Sequence, residues 1–258
     1  MNTPIQWLEQ IEQVCALAGV QEVDLLLDQA AWSKRAVPGL QQLNPKAPWF
    51  SLFTGMPEEK LLDQAPLLMR LDLTIWQHRA WLEELIEHGA SEARLMVVVS
   101  SLRFEELSHA LQALLQMQWG ERAGLLRFYD PRIFPVLMNS ILTSEQRAEF
   151  LQVAHCWGWL DRDGQPQWRP GTRLKKQTGV EVSHFVKLSD EQCARIKCIS
   201  EVQQLLTGGE FDHLDNSREK RFALLYSILT EVGRENYLGG VEDYVFHRLE
   251  VSKNSGSL

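Results

Sequence analysis

A chain of 258 residues, 45% apolar and 23% charged, can bury one large core or two modest ones, and its composition is that of a folded protein, not a disordered one. A net charge of −8 argues against a general binder of nucleic acid or anionic lipid, both of which need a basic footprint. The first residues carry no basic flank and soon meet Glu9 and Glu12, and apolar runs such as 95–99 fall far short of the roughly 20 residues of a membrane span, so a cytosolic protein without membrane insertion is expected.

Ile5, Leu8, Ile11, Cys15 and Ala18 recur at three- and four-residue steps and predict a helix over 5–18, stopped by Gly19. Residues 23–28 read as a strand, and 29–46, punctuated by Pro38, Gly39 and Pro45, as mixed structure. A second strand follows over 49–53, a short helix near Pro57, a third strand over 67–71 and a helix over 74–88 closed by Gly89. Residues 95–99 are apolar on both faces, as at the centre of a sheet, and Phe104, Leu107, Leu111 and Leu114 mark the next helix.

Residues 124–129 read as a fifth strand with one odd member, Arg127, a charge inside an apolar run. A buried guanidinium needs a carboxylate or carbonyl partner, so Arg127→Ala is expected to cost a few kcal/mol. Asp130 ahead of Pro131 reads as the cap and first residue of a helix over 131–142. Thr143 with Gln146, and Ser189 with Gln192, have the spacing of capping boxes.

Between those boxes, residues 157–168 read as a hairpin around Asp163-Gly164, and 169–179 as a loop. Helices follow from Ser189 to Leu206, then over a stripe of Phe222, Leu225, Leu229 and Val232, then over Val241, Val245 and Leu249, with a small polar tail over 252–258. Strands alternating with helices predict an α/β fold: a mixed layered sheet of about five strands with flanking helices, then a smaller, mostly helical C-terminal lobe. The corresponding domain limits are 1–155, a hairpin and basic linker over 156–188, a helical lobe over 189–251 and the tail.

Three carboxylates, Asp28, Asp72 and Asp130, fall at strand ends, where ligands of α/β sheets bind, and could hold Mg²⁺ for phosphotransfer or hydrolysis. The simpler reading makes them helix caps and partners of arginines such as Arg127. No G-x-S-x-G, Gly-rich phosphate loop or H-E-x-x-H occurs, the histidines do not cluster, and Cys15, Cys156, Cys193 and Cys198 form no C-x-x-C pair and read as reduced apolar thiols. No cofactor is expected. Of nine tryptophans, Trp49 and Trp157 read as core, while Trp81, beside Glu83 and Glu84, and Trp168, beside Arg169, are candidates to meet a partner. The stretch 162–187 sets six cations, among them Arg169, Arg173, Lys175 and Lys176, against two acids, which suits either a solvated loop or a strip for an acidic partner.

The run Leu125-Leu126-Arg127-Phe128-Tyr129-Asp130-Pro131-Arg132 resembles the LLRFYDPR signature of the effector chaperone, or adaptor, family of bacterial type VI secretion systems. Val23-Asp24-Leu25-Leu26-Leu27-Asp28 resembles the family's first strand, the segment from Trp49 to Glu58 its SLF-G-T-P-E element with Met56 in place of Thr, and the segment from Ala65 to Leu71 its APLLV-L strand. The resemblance implies a non-catalytic bacterial cytosolic adaptor that binds a secreted toxic effector, stabilises it and helps load it on the spike (VgrG-type) protein. Two other readings stay open: the Mg²⁺-dependent enzyme, and a structural component exported with the spike.

Overall fold

Mostly apolar runs in β1 (Glu22–Asp28), β3 (Pro66–Asp72) and β4 (Leu95–Val99) build the centre of the main sheet, with β1 antiparallel to both neighbours. The computed structural model describes residues 3–31, 36–89, 94–173, 182–231, 237 and 239–254. β2 (Trp49–Ser51) pairs outside β3, β7 (Cys156–Leu160) pairs with β4, and β8 (Pro166–Pro170) closes the far edge, giving the order β2-β3-β1-β4-β7-β8.

Because side chains alternate along a strand, this sheet has two distinct faces. Val23, Leu25 and Leu27, with Leu67, Met69, Leu71, Leu95, Val97 and Val99, pack in one cluster with Trp7, Leu8 and Ile11 of α1 (Thr3–Ala18) and Leu82, Leu85 and Ile86 of α3 (Trp76–Gly89). The opposite face carries Asp24, Leu26, Asp28 and Arg70. Trp157 and Trp159 of β7, which lie opposite Val98 and Met96, pack there against Phe128, Phe134 and Phe150. Both faces are covered, which is why β4 is buried along its whole length.

α2 (Ala36–Gln42) precedes β2, and α4 (Phe104–Leu115) runs straight into β5 (Gln116–Trp119). β5 pairs antiparallel with β6 (Arg122–Leu125) and parallel with β9 (Val186–Lys187) in a small second sheet. The α/β class expected from the sequence holds. The main sheet has six strands, antiparallel at each pairing, and the parallel pairing occurs in the small sheet.

Two local expectations fail around Arg127. The fifth strand stops at Leu125, and the chain then curls through tight turns: the Phe128 amide donates to Leu126 O at 2.7 Å and the Asp130 amide to Arg127 O at 3.2 Å. Both Phe128 and Tyr129 go inward, against the alternation a strand would impose, because their rings have Phe150 and Trp157 to pack on. The expected helix over 131–142 is delayed to α5 (Phe134–Val136), which runs into a π-turn over Leu137–Ile141. Asp130 is the reason: its carboxylate accepts the Arg132 amide at 2.9 Å, an Asx-turn, while its carbonyl takes the amides of Ile133 and Phe134.

Both capping boxes form, at the start of α6 (Ser144–Leu151) and of α7 (Asp190–Gly208). The expected hairpin forms too, with Gly164 at φ 73°, and it lies on the main sheet as the last two strands at one end, β8 being the edge. Trp168 folds back across Gly158, where a Cβ would stand 2.5 Å from the indole, and its Nε1 donates to Gln10 of α1 at 2.8 Å. Gly158→Ala must push that ring off the core, so a loss of about 1–3 kcal/mol is expected in urea unfolding; an unchanged midpoint would show the ring to be mobile.

The backbone gathers into two compact units, Met1–Leu188 and Ser189–Leu258. In the second, α7, α8 (Arg218–Leu229) and α9 (Val241–Asn254) bury Ile199, Val202, Phe222, Leu225, Leu229, Val245 and Leu249. Val232 of the expected stripe and tail residues 255–258 lie outside the described residues.

Candidate functional site

Asp28 ends β1 on the polar-bearing face and is fully buried. Its Oδ1 accepts the Ala30 amide at 3.1 Å, while its Oδ2 accepts Arg94 Nη1 at 2.7 Å and Arg127 Nη2 at 2.9 Å. Asp130 is 1% exposed and holds Arg132 through two hydrogen bonds, from Nε at 2.9 Å and Nη2 at 2.7 Å, with Arg127 Nη2 at 3.5 Å. Pro131 and Tyr129 are both buried, and burial pushes the Tyr129 hydroxyl up to about 12. The turns that broke the expected strand are therefore what carry Arg127, Asp130 and Arg132 over the end of β1.

The pairing of Arg127 with a strand-end carboxylate is as the sequence implies, but its burial is not: the side chain is 44% exposed. Asp28 keeps Arg94, and Asp130 keeps Arg132, when Arg127 is removed. The expected cost of Arg127→Ala accordingly falls to about 1 kcal/mol, the range of solvated ion pairs; a loss of several kcal/mol in chemical unfolding would contradict this geometry.

The third carboxylate does not join the other two. Asp72 pairs with Glu22 at the far end of β1, six residues or roughly 20 Å from Asp28. There it accepts the Thr74 amide and hydroxyl at 2.8 and 2.6 Å and caps the approach to α3, while its own amide donates to His78 Nδ1. At the Asp28–Asp130 cluster each carboxylate oxygen already takes a hydrogen bond, and three guanidiniums outnumber two carboxylates. A divalent cation would enter against net positive charge, so the cluster does not fit Mg²⁺. Burial also pushes the thiols of Cys15 and Cys156 up to about 12 and about 11, away from the thiolate a nucleophile needs. Among the described residues no group of three His, Cys, Asp or Glu is placed to hold a metal, and no helix is long and apolar enough to cross a membrane.

A second polar pair lies on the same sheet face. Asp24 stands directly opposite Arg70 in the β1–β3 register, and Arg70 grips it with two bonds, Nε to Oδ1 at 2.7 Å and Nη2 to Oδ2 at 2.8 Å. Arg70 also lies over the Phe104 ring, 5.7 Å from its centroid. Burial pushes the Asp24 carboxyl up to about 6, although the hydrogen bonds and charge of Arg70 pull it down. Neither this pair nor Arg94 was singled out in the sequence. The visible signal was a charge at period two within each apolar strand.

Among the residues proposed to meet a partner, Trp81 is half-buried against the α1–α3 core and over Gly39, and Trp168 is half-buried on Gly158. Arg169 donates to Asn139 Oδ1 at 2.6 Å and Met138 O at 3.4 Å. Arg173 is 5% exposed and donates through Nε to Ser101, so it points inward. Lys175 and Lys176 lie outside the described residues. The aromatic that does stand out is Trp76, 74% exposed at the start of α3, where it borders a shallow groove of about 220 Å³ with Leu43, Ala80 and Trp81. Nine residues before core-facing Leu85, it falls about half a turn away on the helix, a placement the periodicity could have revealed.

No curated protein and no solved structure matches the chain. Residues 25–149, which hold the whole Asp28–Asp130 cluster and Arg70 but begin one residue after Asp24, match the family model described as a domain of unknown function, DUF4123, a family associated with type VI secretion.

Proposed function

We propose that this chain is a non-catalytic adaptor: a cytosolic chaperone that binds a type VI effector, shields its apolar surface and delivers it to the spike protein. The observation that carries this reading is the family match over residues 25–149. The site geometry supports it, because the strand-end aspartates are engaged by arginines and a helix approach, leaving the Mg²⁺-enzyme reading without its carboxylate cleft.

In this reading the six-stranded sheet is the common frame, and recognition falls to the surface around it. Trp76 supplies the kind of aromatic anchor that dominates interface energetics. The second unit, whose helices line a cleft of about 760 Å³ that includes Arg195, Leu229 and Tyr244, with the basic stretch 162–187, is assigned the effector-specific contacts. Stable capture would need an interface above roughly 1,000 Å².

The test is genetic. Deleting the gene from a bacterium with an active type VI system should lower secretion of one effector at least tenfold while spike secretion continues, and the wild-type gene should restore it. Unchanged secretion of every effector would sink the proposal, and appearance of this chain outside the cell with the spike would favour a structural component instead.

A further inference from the structure

The π-turn over Leu137–Ile141 frees a carbonyl. In the π register the Leu142 amide donates to Leu137 O, so the next donor in line for Met138 O is the Thr143 amide. That amide is taken by Gln146 Oε1 at 2.8 Å as part of the α6 capping box. Met138 O instead accepts two guanidiniums, Arg147 Nη1 at 3.2 Å and Arg169 Nη2 at 3.4 Å. Arg147 also donates to Ser144 Oγ, and Arg169 to Asn139 Oδ1.

Two like charges are thus drawn onto one neutral oxygen. Among the described residues neither arginine has a carboxylate within ion-pair distance, in contrast to Arg70, Arg94, Arg127 and Arg132. Glu145, fully exposed on α6, feels the charge of Arg147 but forms no ion pair with it. Arg169 Nε is buried with no acceptor, and burial and the neighbouring Arg147 both push the Arg169 guanidinium down from its ordinary value. Both side chains are half-buried beside exposed Asn139 and Ser140, so the pair is reachable from solvent. Fixed, adjacent, partly desolvated guanidiniums without a counter-charge are a receptor for an oxyanion.

We propose that Arg147 and Arg169 form a carboxylate-binding site, and that its ligand is an aspartate or glutamate side chain on the bound effector. The source rests on the adaptor reading above. The site itself rests on the π-turn geometry.

Two arms test it. In the first, the full-length chain binds its effector at about 50 and about 300 mM NaCl, concentrations between which the screening length falls markedly. Arg147→Gln with Arg169→Gln should weaken binding at least tenfold at low salt and flatten its salt dependence, with thermal unfolding as the check on the fold. In the second arm, the chain labelled with ¹⁵N-arginine is titrated with glutarate and, separately, inorganic phosphate. The Arg169 Nε–Hε signal, assigned by its loss in Arg169→Gln, should shift saturably with glutarate.

Wild-type affinity and salt dependence in a folded double variant would overturn the assignment of the effector carboxylate. A flat glutarate titration, or a stronger response to phosphate, would overturn the carboxylate site even if effector binding stands. If the wild-type chain binds no effector at all, the adaptor reading and the effector as source both fail, while the glutarate arm decides the site.

Discussion

Asp28→Ala is expected to destabilise the chain by about 3–5 kcal/mol in urea unfolding, among the largest effects of any single change in the α/β unit. Asp28 is fully buried and is the carboxylate on which Arg94 and Arg127 converge. Without it the Arg94 side chain, 14% exposed, has lost its ion-pair partner, and Arg127 is left with Asp130, which Arg132 already holds. Asp28→Asn keeps an acceptor for the Ala30 amide and should fall between wild type and alanine. If Asp28→Ala unfolds within about 1 kcal/mol of wild type, water must reach this cluster and its buried electrostatics are overstated.

Arg70→Met is expected to be comparably damaging, and its cost should depend on pH. Asp24 is 1% exposed, and with Arg70 gone its charge has no bidentate partner, a loss of about 3–5 kcal/mol when the carboxyl is ionised. In the wild-type fold this carboxyl already titrates at about 6, above its ordinary 3.8. The folded state therefore binds the extra proton, so the group's contribution to stability is full below 3.8 and is lost as pH rises through about 6. Removing Arg70 takes away the hydrogen bonds and charge that lower it, so the folded value climbs further and the window widens toward alkaline pH. Arg70→Met should thus lose more stability at about pH 8 than at about pH 5. Adding Asp24→Leu should recover most of the loss by removing the stranded charge. A deficit equal at both pH values would show that desolvation of Asp24 is not its cause.

The sequence and the fold agree where the governing energies are local. The α1 helix, the all-apolar β4, both capping boxes and the Asp163-Gly164 turn depend on residues within a few positions of one another, and each forms where periodicity and capping chemistry put it, although Ile5 of the α1 stripe is exposed and Trp7 takes its place in the core. The segment from Leu126 to Phe134 was misread because its outcome depends on distant groups. Phe128 turns inward to meet Phe150 and Trp157, and Arg127 leaves the strand path to reach Asp28, 99 residues earlier.

The candidate site was legible in its parts and not in its assembly. Asp28, Arg127, Asp130 and Arg132 could be named from one strand end and one short run of sequence. Arg94 could not, because nothing local marks it as the residue whose carbonyl and guanidinium both engage Asp28. The same holds for Arg169: a basic stretch suggested a partner, but Arg147 is brought beside it by a π-turn and a pair of sheet strands.

By itself, the order of apolar and polar residues determined the α/β class, most of the helices and strands of the main sheet, and that β4 is apolar on both faces. Tertiary structure alone decided the strand order, the placement of the hairpin on the main sheet, and which aspartates meet which arginines. The reason is physical: propensity, periodicity and capping act over a few residues, whereas strand pairing and the desolvation of charge are set by what the folded chain brings alongside.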